Sequence, residues 1–327
     1  MSHIPRLETI KVASCCYLLN QRAQYLAQIR QFFNIRNVLE VDTAHLATST
    51  TPDPKVASIK VNNHYLQPSP EFFMKRLLAQ GSGDIYQLAH VFRDDEPSFI
   101  HQKEFSLLEW YRVGFTLEQL MDEVLELISI FLPQYTPVSL SHCGLDPQSP
   151  NTSVNKTKIS YQQLFKKYLN IDNVHRASVT ELEDLYLQFR PPLIAKTMTK
   201  DDWLDLIMAD ILQPQLQGVV LLHSYPKSQA SLAKIKDNVA QRFELFVDGI
   251  ELANGFDELH DVNEQRQRFN AELAQRHADN LELIPIDEQF LQALALGLPQ
   301  CCGVALGVDR LFMLAMNVKS IADTKVF

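Results

Sequence analysis

Cysteine and glycine are scarce in this 327-residue chain, with 5 Cys and 10 Gly. Cys15, Cys16, Cys143, Cys301 and Cys302 form two adjacent pairs and a singleton, which fits no zinc-ligand spacing and makes a poor disulfide framework. They read as buried, reduced thiols of a cytosolic protein. Ten Gly and 16 Pro exclude collagen-like or low-complexity character. Long hydrophobic runs are missing too: no window approaches the ~20 apolar residues of a membrane span. Residues 1–20 carry Arg6, Glu8 and Lys11 around no long apolar core, which argues against a secretory signal. Basic charge is in deficit, with 30 Lys+Arg against 39 Asp+Glu and a net charge of -9. That excludes the broad basic footprint of a chain that wraps nucleic acid. A soluble, cytoplasmic protein is expected, in which the sequons at Asn151 and Asn155 carry no weight.

What is present is ordinary globular material: 46% hydrophobic and 21% charged residues, enough for a core that needs no covalent staple. Apolar residues at helical spacing predict a helix over 18–36, and 38–41 reads as a short strand. Residues 45–60 read as a loop and 71–78 as a helix. Residues 85–92 and 105–113 are expected buried strands flanking the polar segment 93–104. Thr116, Leu117, Glu118 and Gln119 give a capping-box pattern before an apolar periodicity running to Phe131. Residues 133–158 are non-periodic and read as a linker or insertion. Helices follow near 161–168, 179–187 and 202–212, and a strand at 219–223. Residues 242–247 and 250–254 flank Asp248-Gly249, a type I′ hairpin signal. A helix at 262–277, a short strand at 303–306 and a helix at 308–316 complete the chain. Strands at both ends with helices between predict an α+β fold, its antiparallel sheet assembled from distant segments. One domain over 1–327 is expected, interrupted only at 133–158.

Two segments carry chemistry. In the first, a strand ends in Arg93-Asp94-Asp95 and a return strand begins at Phe105 after His101-Gln102-Lys103-Glu104. An arginine at a buried strand end can hold a phosphate bidentately, and Phe105 could stack on a base. The competing reading is a solvated charged hairpin tip. In the second, Gly303-Val304-Ala305-Leu306-Gly307 leads into a helix bearing Arg310 in its first turn. Gly307 permits close backbone approach. A cation in a first helical turn opposes the helix dipole unless an anion binds nearby. The competing reading is a glycine turn into a core helix.

Together, in this order, these segments resemble the second and third signature motifs of class II aminoacyl-tRNA synthetases, and most closely the lysyl-tRNA synthetase catalytic core. Val38-Leu39-Glu40-Val41-Asp42-Thr43 resembles the first motif, a dimer-interface element. Ser69-Pro70-Glu71 resembles the amino-acid-binding loop. Ile250 to Leu259 matches the glutamates that flank Asn254-Gly255-Phe256. Within the superfamily the chain looks most like the truncated lysyl paralogues that ligate lysine to elongation factor P. Few residues precede the first helix, so no anticodon-binding barrel is expected. Residues 225–233 resemble the subgroup's own strand and loop. Ala305 stands where tRNA-charging lysyl enzymes carry glycine, and in the subgroup it turns the pocket toward (R)-β-lysine.

The resemblance implies that ATP and Mg²⁺ are used to adenylate lysine or (R)-β-lysine, with transfer to a lysine side chain of elongation factor P by a homodimer. Neither tRNA nor a membrane is an expected partner. Arg93 and Arg310 would be catalytic, holding the triphosphate. Asp94, Asp95, Gln102, Phe105, Glu251, Leu252 and Gly307 would complete the ATP site. Ser69, Pro70, Glu71, Glu109, Tyr111, Asn254, Glu258 and Ala305 would bind the amino acid, and Glu251 and Glu258 would hold the metal. Their seven-residue separation puts these two glutamates on opposite faces of a regular strand, so convergence requires a bend, expected at Gly255. Glu71, Glu109 and Glu258 interrupt apolar segments and need cationic partners. A dicationic ligand would supply them, and a protein Lys or Arg is the alternative. The chain departs from the family at Asp94 and Asp95 (Asn, Glu), Gln102 and Lys103 (Asn, Pro), Ala44 (Pro) and Pro68 (Thr), which raises a weakened or non-catalytic paralogue as a rival, beside tRNA aminoacylation.

Overall fold

The structure, a computed structural model, describes residues 8–135, 156–190 and 198–325, with side chains from residue 16 onward. Along the chain run α1 (Glu8–Asn34), β1 (Leu39–Glu40), β2 (Leu46–Ala47), β3 (Lys60–Val61), β4 (His64–Leu66), α2 (Glu71–Ala79), β5 (Ile85–Phe92), β6 (Glu104–Val113) and α3 (Leu117–Phe131). Then come β7 (Lys156–Ser160), α4 (Tyr161–Leu169), α5 (Val179–Leu187), α6 (Lys200–Ile207), β8 (Val219–Pro226), β9 (Ile235–Lys236), β10 (Val239–Val247) and β11 (Ile250–Asp257). The last elements are α7 (Val262–Ala278), α8 (Glu288–Gly297), β12 (Cys301–Gly307) and α9 (Val308–Ala315).

The α+β expectation holds, with local corrections. α1 starts at Glu8 rather than near 18, because apolar periodicity reports burial, and among its described side chains the buried ones, Ile29, Phe32 and Phe33, lie in the second half. The expected loop at 45–60 contributes to a three-stranded sheet, order β2-β4-β3, whose strands are too short to show periodicity. Of the expected linker at 133–158, Pro133–Tyr135 forms a 3-10 turn and the end belongs to β7. Residues 136–155, with Cys143, Asn151 and Asn155, lie outside the described residues. Cys301 and Cys302 are buried, whereas Cys16 is exposed on α1.

The described residues fall into two compact units, one drawn from Met1–Phe115, Glu123–Phe131 and His260–Phe327, the other from Thr116–Asp122 and Leu132–Leu259. In the first, strands run in the order β1-β5-β6-β12. β6 is antiparallel to both β5 and β12, but β1 joins β5 in parallel, so the sheet is mixed rather than antiparallel. Alternation divides its residues between two faces. One face buries Tyr86, Leu108 and Trp110, with Phe33 of α1 stacked on Tyr86 at 4.3 Å. The other carries Gln87, Ala89, Phe105, Leu107, Glu109 and Tyr111 beside Gly303, Ala305 and Gly307.

In the second unit the order is β11-β10-β8-β7, with β7 and β8 parallel. Tyr161, Phe165, Trp203, Leu204, Tyr225 and Phe246 lie in its buried core. Asp248 at φ 48° and Gly249 at φ 76° make the turn between β10 and β11. A Cβ on Gly249 would stand 2.9 Å from the Gln213 carbonyl oxygen. β11 carries a bulge: Leu245 pairs with Ala253 and Phe246 with Glu251, leaving Leu252 as the extra residue.

Candidate active site

The face of β6 that carries Glu109 is built for a buried acid. Glu109 is 2% exposed. It accepts hydrogen bonds from Ser69 Oγ at 2.6 Å and from the Tyr111 hydroxyl at 2.6 Å. Ser69 also accepts from the Glu71 N–H at 3.0 Å, so one hydroxyl ties the start of α2 to the sheet. Phe72, the next residue, stacks on Phe290 of α8 at 4.4 Å and fixes the helix in place. Burial pushes the Glu109 carboxyl up to about 7, and the negative charge of Glu71 pushes the same way. The register sets Gln87 and Ala305 directly opposite Glu109 on the two neighbouring strands.

Glu71 already has a protein cation: Lys75 Nζ, 1% exposed, donates to it at 2.6 Å one helical turn on. For Glu71 the structure therefore realises the protein-lysine alternative, because an i,i+4 pair forms wherever the helix forms. Glu272 of α7 adds a further carboxyl. Its own burial, then the charge of Asp53, pushes it up to about 8, and Glu71 contributes as well.

The two arginines are also brought together. Arg93 follows β5, lies with its guanidinium carbon 5.2 Å from the centre of the Phe105 ring, and donates to the Pro68 carbonyl at 3.4 Å. Arg310 donates to the carbonyl of Ile100 at 3.1 Å. Both act on His101, whose imidazole is lowered first by burial, then by Arg310, with Arg93 adding and Asp95 opposing. His101 is therefore neutral at pH 7. The nearest atoms to a Cβ on Gly307 would be those of the Arg310 side chain, from 3.7 Å, an ordinary van der Waals contact. Asp94, by contrast, is exposed and paired with Lys103, as the hairpin-tip reading anticipates for that residue. Gln102 accepts from Lys325 at 3.3 Å.

In the second unit the bulge performs the bend expected of Gly255. Skipping Leu252 returns Glu251 to the face of Glu244 and Asn254. Glu251 then lies near enough to act on both Arg242 and Glu244. Arg242 donates to Asn254 Oδ1 at 3.0 Å and pairs with Glu244, which also accepts from the Tyr225 hydroxyl at 2.6 Å. Glu258 is 1% exposed, at the end of β11, bridged to Ala233. Among the described residues no set of three His, Cys, Asp or Glu side chains is close enough to hold a metal ion. Magnesium commonly takes one or two carboxylates and completes its shell with water and phosphate oxygens, so the hard oxygens of Glu251 and Glu258 fit it.

Sequence reasoning passed over Lys75, His101, Arg242, Glu244 and Lys325. Lys75 was findable, four residues after Glu71 on a helix. The pairing of Lys325 with Asp309 spans too much sequence to be read locally.

A buried acid, two arginines that act on one histidine and a strand of small residues, on a mixed sheet flanked by helices, are compatible with a class II synthetase domain. The chain belongs to this family: it matches tRNA synthetases class II (D, K and N) over residues 8–327. It is 40% identical to the elongation factor P–(R)-beta-lysine ligase of Proteus mirabilis, over 96% of this chain and 95% of that protein. Proteins of the same name from Hamiltonella defensa and Salmonella paratyphi B are 38% and 39% identical, each over 94% of both chains. Among the described residues no helix is long and apolar enough to cross a membrane.

Proposed function

We propose that this chain is a single catalytic domain that activates (R)-β-lysine with ATP and joins it to a lysine side chain of elongation factor P in the cytoplasm. The observation that carries this reading is the Glu109 row: a buried carboxyl held by Ser69 and Tyr111, with Ala305 opposite it on β12. A desolvated carboxylate demands a cation, and the side-chain ammonium of a lysine-like amino acid provides one for Glu109. Ala305, opposite Glu109, brings one methyl more than a glycine would to the same face of the sheet.

In the first step the substrate carboxylate oxygen attacks the α-phosphorus of ATP, the bond from that phosphorus to the bridging oxygen breaks, and pyrophosphate leaves. Arg93 and Arg310 hold the phosphates and offset the charge that builds in the transition state. Asp95 and Gln102 meet the nucleotide, and Phe105 stacks on adenine. Glu251 and Glu258 would hold magnesium, which neutralises triphosphate charge when bound. In the second step the acceptor amine attacks the adenylate carbonyl, AMP leaves, and the new amide nitrogen loses a proton. Positioning and charge neutralisation do most of the work.

Incubation of the protein with ATP, (R)-β-lysine and elongation factor P should form a stable protein adduct detectable by mass, and no adduct would overturn the reading. Arg93→Ala and Arg310→Ala should each lower pyrophosphate exchange by roughly 10²–10³, as loss of a transition-state donor does, with circular dichroism unchanged.

A further inference from the structure

Lys325 follows the short 3-10 turn Ile321–Thr324, and its side chain is 18% exposed. Its Nζ donates to Asp309 Oδ2 at 2.8 Å, to Gln102 Oε1 at 3.3 Å and to the main-chain carbonyl of Glu104 at 3.1 Å. An ammonium has three N–H donors and no acceptor, so these contacts use its full capacity. Asp309 is 2% exposed and also receives Arg22 at 2.8 Å and the Ser106 N–H at 2.9 Å. Arg22 in turn donates to Ser106 Oγ at 2.7 Å. One ammonium thus fastens the residue before Phe105, the residue before Arg310, and the side chain of Gln102.

We propose that Lys325 is a positioning residue for nucleotide recognition. It holds the oxygen of the Gln102 amide and so leaves the amide NH₂ to donate to an acceptor atom of ATP, a ring nitrogen of adenine or a phosphate oxygen. Nothing but an acceptor can face an ammonium, so Lys325 forbids the flipped amide, which would present an oxygen to those same electron-rich atoms. The proposal rests on the ATP-dependent reading above and deepens it: Gln102 becomes a donor of defined orientation, and a lysine far away in sequence sets it.

The test is calorimetric titration of the full-length protein with ATP, beside pyrophosphate exchange, for Lys325→Met, Lys325→Arg and Gln102→Glu. Lys325→Met should weaken ATP binding about tenfold, the loss expected for one hydrogen bond involving a charged group, and leave the KM for the amino acid unchanged. Lys325→Arg should restore binding, because a guanidinium is also donor-only. Gln102→Glu keeps a partner for Lys325 but has no N–H to offer, and should lose ATP affinity to a similar extent. A folded Lys325→Met protein that binds ATP like wild type overturns the proposal. So does a Gln102→Glu protein that binds like wild type, and that variant decides the matter should Lys325→Met not fold. Wild type that binds ATP without exchange sinks the activation reading while leaving these affinities to judge Lys325. Wild type that binds no ATP overturns both.

Discussion

Glu109 carries the clearest consequence at the scale of single residues. Burial holds its carboxyl near 7, so in the free protein it keeps a proton that the unfolded chain releases near 4.5. The folded form binds more protons between those values, and the contribution of Glu109 to stability therefore falls as pH rises through about 7. Ligand binding runs the opposite way, because a cationic amino acid needs the carboxylate. The KM for the amino acid should fall between pH 6 and pH 8, and Glu109→Gln should raise it and flatten the profile. A wild-type KM independent of pH over that range would refute the role given to Glu109. In the proposed reading Ala305 would act by volume rather than charge. One methyl-sized change in a packed pocket discriminates by ~10–200-fold, so Ala305→Gly should shift exchange from (R)-β-lysine toward α-lysine. If the ratio of the two rates does not move, Ala305 is only a core alanine.

Among the elements, the helices state their own beginnings. Ser160 with Gln163, Ser178 with Glu181, and Thr199 with Asp202 form reciprocal capping boxes. The box expected at Thr116 forms with Gln119. Ser178→Ala should cost about 1 kcal/mol, read as a lower midpoint in urea without a change in slope. Such signals are local, and so they were legible in the sequence, as were the strands 85–92 and 105–113 and the Asp248-Gly249 turn. α8 left a weaker trace in Asp287, Phe290, Leu291 and Leu294, which was not read. The bulge at Leu252 was not readable at all. It exists only in relation to β10, and no property of residues 250–258 alone shows which residue is skipped. The site followed the same rule: residues within recognisable segments were found, and partners contributed by distant segments, Arg242 and Lys325 among them, were not.

For the whole molecule the open question is assembly. β1 is a two-residue edge strand, parallel to β5, with Leu39 57% exposed and Ile35 just before it 67% exposed. Edge strands with exposed apolar residues invite pairing with a second copy, and this segment is the one that resembles the family's dimer element. A C₂ homodimer is expected, and Leu39→Asp should convert it to a monomer by light scattering at micromolar concentration. Wild type that scatters as a monomer at that concentration would show that this edge is not an interface.

β12 has a practical implication for enzyme redesign. Three of its odd positions, Gly303, Ala305 and Gly307, share the face of Glu109, while Val304 and Leu306 between them lie on the other face and are at most 2% exposed. Between Gly303 and Gly307, the positions proposed to set substrate scope alternate with positions that fill the core. A mutant library confined to Gly303, Ala305 and Gly307 could explore new amino acids while Val304 and Leu306 keep the scaffold folded, so the two selections would not have to be fought at once.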